Sequence, residues 1–442
     1  MKILDFLSEL LGTFLTPFAI AVTTAVICHR IPFPTVSRLR RSLSEAYEPT
    51  RKKTAPAKSS PFSALSVALA GTLGVGNITG VSSALISGGA GAVFWMWVGA
   101  IVSAAIKYAE VYLAVRFRRE ERGRCFGGAM YYIRDGLSRT RGMSYRTTAV
   151  LGGIFALLCC LNSLITGNII QSNAAACLLP AEYRAVFGFV LGALVLASLL
   201  YGSEKIEQIT ARLMPPLTLG YLLLSVAILL CNASLVPTVL RDIFVSALSP
   251  RSVLGGTVGF TVREGIRYGV MRGIFSNEAG CGTSPTAHAS ADVKSPRYQA
   301  YLGIAEVLFD TLILCTATAL VLLVADERYG ILPWKTAADS AAVTILAFHS
   351  LAGEVATRIL TAAVFLFAYA AVIAQIFYGV SAIGYLTRNR LFFLIYYACS
   401  VACTVLGAVA SAPVLWLLAD IVLGLMTVCN CAVILLLRRS IE

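Results

Sequence analysis

Two polar, glycine-rich runs interrupt otherwise apolar stretches of the chain, GTLGVGNITG at 71–80 and GIFSNEAGCGTSP at 273–285. Breaking an α-helix frees backbone N–H and C=O groups that hydrocarbon cannot satisfy. A break at membrane depth must therefore be buried in protein or line a cavity. The half-helix that follows the first break aims N–H groups and the positive end of its dipole at that cavity, which favours an anion. Gly74 and Gly76 let a ligand reach the backbone, so Gly74, Val75, Gly76 and Asn77 are expected to take a carboxylate. Freed carbonyls of Ala70, Thr72 and Leu73, with the side-chain carbonyl of Asn77 beside them, are candidates for a small cation. At the second break Phe275, Ser276 and Asn277 end a half-helix, where carbonyls favour a cation such as an amino group. One anion end and one cation end suit a zwitterion.

Other polar residues at depth extend the candidate list. A carboxylate inside a span marks function by default; Glu278 is one, with Arg272 or freed N–H groups as its expected partners. Asn168 and Gln171, three apart in TGNIIQSN, share a helical face, and Gln171 is expected to line the cavity. Glu306 and Asp310 also share a face, as do Lys107 and Glu110, which are expected to pair with each other. Gln375 and Tyr378 lie in a later apolar stretch. His288 stands near the end of the second broken stretch, with no partner evident from the sequence.

The elements that must hold these groups are membrane helices. Of the 442 residues, 57% are hydrophobic and 13% charged, where a soluble domain has about a quarter charged; mean hydropathy is +0.78. A span needs about 20 mostly apolar residues. Eleven stretches qualify, near 4–28, 62–86, 92–115, 147–178, 183–201, 206–231, 257–288, 299–325, 355–385, 391–410 and 413–437. Their runs are continuous, without the period-two alternation of a membrane barrel. The first is too long for a signal peptide and precedes no small-residue cleavage site, so it is expected to stay as a span. The predicted fold class is thus an all-α polytopic membrane protein.

Asn77 and Asn277 are 200 residues apart. With the first helix set aside, ten spans remain and the breaks fall in the first and sixth. Five is odd, so the second half enters with opposite topology, the inverted-repeat arrangement of secondary transporters. The expected divisions are an extra helix at 1–29, a basic, proline-containing linker at 30–60 that is mobile, a first repeat at 61–231, an external connection at 232–256 carrying an amphipathic helix, a second repeat at 257–437, and a tail at 438–442. A short helix near 338–349 is expected as a second external cap.

Net charge is +13. Arg30–Lys58 carries eight Lys or Arg residues and Arg116–Arg146 nine. The positive-inside rule places both in the cytoplasm, so the N-terminus is outside and the C-terminus inside. These charges are expected to meet anionic membrane lipid, not nucleic acid. The twelve cysteines are scattered through apolar stretches and there are only three histidines, so neither zinc nor haem is indicated. No nucleophile, acid–base or metal constellation points to an enzyme, and no organic cofactor is expected. A channel would need a continuous polar pore lining, which two isolated breaks do not supply.

Several segments together resemble the alanine/glycine:cation symporter family: GVGNITGVSSALISGGAGAVFWMWV followed by KYAE, FSNEAGCGTSPTAHASA, GGAMYYI, GNIIQSN and FDTLILCTATAL, in the family's order and spanning essentially the whole chain. The resemblance implies the architecture of the bacterial leucine transporter with one added N-terminal helix. It also implies alternating access, with Na+- or H+-coupled uptake of alanine or glycine, in a bacterial plasma membrane by a chain acting as a monomer. Carried over, the substrate carboxylate would bind at Gly74, Gly76 and Asn77, and its amino group near Gln171 and the carbonyls of Phe275 to Asn277. Sodium would lie between the carbonyls of Ala70 and Leu73 and hydroxyls of the eighth core helix. Three departures from the family's pattern stand out. Val75 replaces the usual threonine, Ala370-Ala371 replaces a Ser-Thr pair, and Gln375 replaces tryptophan. Hard cations take about six oxygen ligands, so two missing hydroxyls imply altered or lost sodium coupling. Retained binding without transport, as in a sensor, is the alternative this raises.

Overall fold

A computed structural model describes residues 2–29, 36–46, 59–121, 124–248, 252–254, 258–335, 340–410 and 412–441. Nine helices among the described residues are long and apolar enough to cross a membrane. They are α1 (Ile3–Cys28), α5 (Gly91–Arg116), α6 (Tyr145–Ala176), α7 (Ala181–Leu200), α8 (Lys205–Cys231), α12 (Pro296–Tyr329), α13 (Ser340–Leu386), α14 (Arg390–Gly407) and α15 (Val414–Ser440). Two more passes are broken. One consists of α3 (Pro61–Thr72) and α4 (Thr79–Gly88), the other of α10 (Val262–Asn277) and α11 (Pro285–Ala289). Nine intact and two broken passes make the eleven that composition predicts.

Burial sorts these helices by role. On α6, Val150, Ile154, Leu157 and Leu161 are exposed, a stripe at helical spacing that lipid would cover. Leu219, Leu223 and Leu230 do the same on α8, and Leu391, Leu394 and Ile395 on α14. The middle of the molecule is filled by α5, α12 and α13, whose polar residues Lys107, Glu110, Glu306, Asp310 and Gln375 are all buried. The broken passes lie among them, with α10 packed on α5 and α4, and α3 packed on α8 and α13. The added helix α1 packs on α15 and α5.

The connections refine the sequence reading. The residues 36–46 of the supposed linker form a helix, α2 (Val36–Ala46). It docks on α12, with Tyr298 donating to the carbonyl of Ser42 at 3.0 Å and Arg38 to the Tyr301 hydroxyl at 3.3 Å. The rest of that linker, residues 30–35 and 47–58, lies outside the described residues. The connection at 232–256 contains a helix, α9 (Val236–Leu248). The expected cap near 338–349 is the first arm of α13, which turns at Gly353 (φ 73°, ψ −167°) before the membrane pass begins. The seventh pass starts later than 257. Residues Val258–Phe260 pair with Ser252–Leu254 in a hairpin, and the helix begins after Thr261, whose hydroxyl accepts from the Glu264 N–H at 3.2 Å while Glu264 accepts from the Thr261 N–H at 2.7 Å. This reciprocal cap satisfies two orphan donors.

Candidate functional site

The first break begins where Leu73 leaves the helical region (φ −78°, ψ 82°). Gly74 is extended, Val75–Asn77 forms one tight turn, and α4 resumes at Thr79. The Gly74 N–H donates to Asn77 Oδ1 at 3.1 Å and the Val75 N–H donates to Gln171 Oε1 at 3.0 Å. The groups expected to face an anion thus meet two amide oxygens, contacts a carboxylate oxygen can reproduce. A Cβ at position 74 would lie 2.6 Å from Gln171 Oε1, so only glycine admits this approach. A Cβ at position 76 would sit 3.0 Å from the Phe275 ring, which places the two breaks in contact.

The second break opens at Glu278, which caps α10 in the left-handed region (φ 50°, ψ 22°), an uncommon conformation for a residue with a side chain. Its carboxylate accepts from the Thr283 hydroxyl at 2.6 Å and from Gln375 Nε2. The same Gln375 nitrogen reaches the freed carbonyl of Gly71 at 3.3 Å. Gln375 therefore ties one break to the other. Its own backbone carbonyl accepts from Ser163, which accepts in turn from Tyr396 at 2.6 Å.

Asp310 makes the second tie. It is fully buried and accepts from Asn77 Nδ2 at 2.6 Å, from the Ser276 hydroxyl at 2.9 Å and from the Thr311 hydroxyl at 2.9 Å. Asn77 belongs to the first break and Ser276 to the second. Asn277 donates to Thr311 at 3.0 Å and accepts from the Ala279 N–H at 2.9 Å. The Phe275 ring packs on Trp416 with centroids 4.7 Å apart, closing one wall.

Several expected placements change. Gln171 stands at the N–H end of the site, not among the carbonyls of Phe275 to Asn277. The Asn77 carbonyl turns back on Gly74 and is not offered to a cation beside Ala70 and Leu73. Arg272 is not the partner of Glu278. It forms a two-pronged pair with Asp420 at 3.1 and 3.2 Å and lies 4.3 Å from the centre of the Trp416 ring. His288 has partners after all, Glu306 and Gln299. Ala70, Leu73, Ala370 and Ala371 are buried, and α3 does pack on α13, but there α13 meets α3 with Gln375 and with Tyr378, whose hydroxyl lies 3.5 Å from the Val67 carbonyl. Asn168 and Asn173 bond carbonyls of Ser400, Gly407 and Ala410 and serve packing.

The sequence flagged Asp310 only as a neighbour of Glu306. A widened, π-type turn over Phe309–Cys315 follows Glu306 on α12. Asp310 serves the breaks, while Glu306 serves Lys107 and His288. Such widened turns concentrate at functional sites.

Among the described residues, nine intact passes around two discontinuous ones, whose broken backbones face one buried polar site, define a multi-pass membrane protein of the secondary-transporter class. The chain belongs to the sodium:alanine symporter family, whose model matches residues 1–442. It is 33% identical over 412 residues to the sodium/alanine symporter AgcS of Methanococcus maripaludis, covering 92% of this chain and 88% of that protein. It is 31% identical to the probable sodium/glutamine symporter GlnT of Bacillus subtilis, covering 86% of this chain and 77% of that one. Its fold resembles that of MhsT, solved in complex with L-phenylalanine, with a TM-score of 0.51 at 14% identity over 88% of this chain and all of that one.

Proposed function

We propose that the protein carries a small neutral amino acid such as alanine or glycine across a bacterial plasma membrane by cation-coupled alternating access, the halves 61–231 and 257–437 moving about the two breaks. The observation that carries this is the pair of ties between the breaks, Gln375 between Gly71 and Glu278, and Asp310 between Asn77 and Ser276. The substrate carboxylate replaces the amide oxygens at the Gly74 and Val75 N–H groups, with Gly76 and Asn77 shaping that end. The ammonium faces the carbonyls of Phe275, Ser276 and Asn277 and the negative charge of Asp310. Gln375 and Gln171 line the pocket with amides, which suits a side chain no larger than these walls allow. The names of AgcS and GlnT, alanine and glutamine, bracket that size. The protein acts as a monomer, with its N-terminus outside and its C-terminus in the cytoplasm, in keeping with the basic stretches at 30–58 and 116–146.

The coupling ion is Na+ or H+. Carbonyls of Ala70 and Leu73 alone make a weak sodium site, since Ala370 and Ala371 add no side-chain oxygen. A thermal-shift screen of amino acids in both enantiomers, with and without sodium, tests substrate and ion together, because a ligand of the folded state stabilises it by mass action. Restoring oxygens by Ala370→Ser with Ala371→Thr is expected to raise the sodium dependence of uptake. Steep sodium dependence in the unaltered protein would refute weakened coupling, and stabilisation by an amino acid without any flux would favour a sensor.

A further inference from the structure

On the side of the second break that carries α11 lies a second buried polar cluster that the substrate site does not use. Lys107 of α5 donates to Ser284 at 2.6 Å and stands 3.6 Å from Glu110 and 3.5 Å from Glu306. Glu306 Oε2 meets His288 Nε2 at 2.7 Å, and the other ring nitrogen meets Gln299 Nε2 at 2.8 Å. Lys107, Glu110, His288 and Gln299 are fully buried, and Glu306 nearly so.

The two carboxylates are provided for differently. Glu110 accepts from the Gly280 and Gly282 N–H groups at 3.4 and 3.1 Å and from Asn430 at 2.9 Å, a set that suits an ionised carboxylate. Glu306 shares Lys107 with Glu110 and takes its one short contact from His288. With a neutral imidazole, one ammonium faces two carboxylates. A proton on His288 brings the four groups to neutrality, and buried charge is tolerated when balanced. The surroundings of the ring accept either state. A neutral ring donates from Nε2 to Glu306 and accepts at Nδ1 from the Gln299 NH2. A charged ring needs an acceptor at Nδ1, and an amide carries one on its other arm. That arm, Gln299 Oε1, is buried without a hydrogen-bond partner among the described residues; half a turn of the amide puts it on Nδ1–H.

We propose that His288, held between Glu306 and Gln299, is a proton-binding site that couples proton movement to rearrangement of the broken helix α10–α11. His288 sits on α11 itself, and the neighbouring Glu110 holds the N–H groups of Gly280 and Gly282 inside the break. A proton on His288 ties α11 to α12 by an ion pair with Glu306, and its loss loosens that tie. Other titratable groups on elements packed against α11 include Glu278 and Cys281 in the break, Tyr108, Tyr112 and Arg116 on α5, Arg297, Tyr298 and Tyr301 on α12, Tyr378 on α13, Arg124 and Cys125 on the short strand Arg124–Phe126, and Arg118, which donates to the Ala289 and Ala291 carbonyls at 3.3 and 2.5 Å. Helix α3 brings none.

This proposal rests on the amino-acid transport reading, and the test separates the two. Purified protein is placed in sodium-free proteoliposomes at zero potential. Labelled alanine is followed by exchange against trapped alanine and by accumulation under an inward proton gradient. One pH unit supports about tenfold accumulation per proton. His288→Gln is expected to keep exchange and lose the accumulation, and Gln299→Leu, which keeps the ring but removes its second acceptor, is expected to do the same. If His288→Gln does not fold, Gln299→Leu decides on the same readout. Proton-driven accumulation that survives either substitution, or that is absent in the unaltered protein while exchange persists, overturns the proton site and leaves transport standing. No exchange in the unaltered protein overturns transport itself.

Discussion

Asp310→Ala is expected to abolish amino-acid transport while leaving a protein that still folds and inserts. The carboxylate is fully buried and receives the side chains of Asn77, Ser276 and Thr311 at 2.6, 2.9 and 2.9 Å. Its removal takes the carboxylate from three buried donors and leaves Asn77 and Ser276 only the weakly accepting Cys315 sulfur at 3.4 and 3.3 Å; a buried donor without a good partner costs about 1–3 kcal/mol. Asn77 and Ser276 come from different broken helices, so the penalty falls on the alignment of the breaks that the site depends on. At about 1.4 kcal/mol per factor of ten, a loss of roughly a hundredfold or more in uptake is expected. Asp310→Asn keeps the shape but removes the charge and places an amide NH2 against donors, and it should also be severely impaired. The check is initial-rate uptake at saturating substrate, with monodispersity in detergent measured alongside. Near-normal uptake by Asp310→Ala would remove Asp310 from the site.

The second large effect is on stability. Arg272 and Asp420 form a two-pronged ion pair inside the membrane region, with the Arg272 side chain 5% exposed and its guanidinium over Trp416. Truncating one partner of a buried pair costs about 3–5 kcal/mol, because the remaining charge is stranded. Asp420→Ala is therefore expected to lower the thermal unfolding midpoint sharply and to reduce yield. Replacing both groups together, Arg272→Leu with Asp420→Leu, is expected to recover most of that loss, since apolar pairs of similar volume often substitute for buried ion pairs without penalty. A double variant as unstable as the single one would mean that the pair itself, and not the stranded charge, sets the stability.

Much of the scaffold was legible in the sequence because it rests on local rules. Eleven apolar stretches follow from the thickness of the bilayer, and the breaks at 71–80 and 273–285 follow from glycine and polar residues where hydrocarbon demands neither. Leu73–Ile78 and Glu278–Ser284 leave the helix within those limits. The start of the seventh pass was misplaced because Val258 and Phe260 are as apolar as a span; the better signal was Thr261 followed by Glu264, the N-terminal cap.

Partnerships were less legible because they depend on packing between distant segments. Arg272 and Asp420 are 148 residues apart, and Asn77 and Asp310 are 233 apart. Glu306 and Asp310 share a face in a regular helix, and only the widened turn at Phe309–Cys315 and the surrounding helices divide their tasks. Gln171, read from the sequence as a lining residue, lies against the first break, its amide oxygen 3.0 Å from the Val75 N–H. Its distance from Val75 is set by how α6 leans across the first break, which no local rule predicts.

The central claim is that the two facing breaks form an occluded amino-acid site that opens to one side of the membrane at a time. Counterflow tests this most directly. Proteoliposomes preloaded with unlabelled alanine are diluted into trace labelled alanine with no ion gradient. Alternating access predicts transient accumulation of label above its external concentration, saturable in alanine and lost in Asp310→Ala. Label that only equilibrates, at a rate linear in concentration, would contradict the account and point to a pore, and stable binding without any flux would point to a receptor.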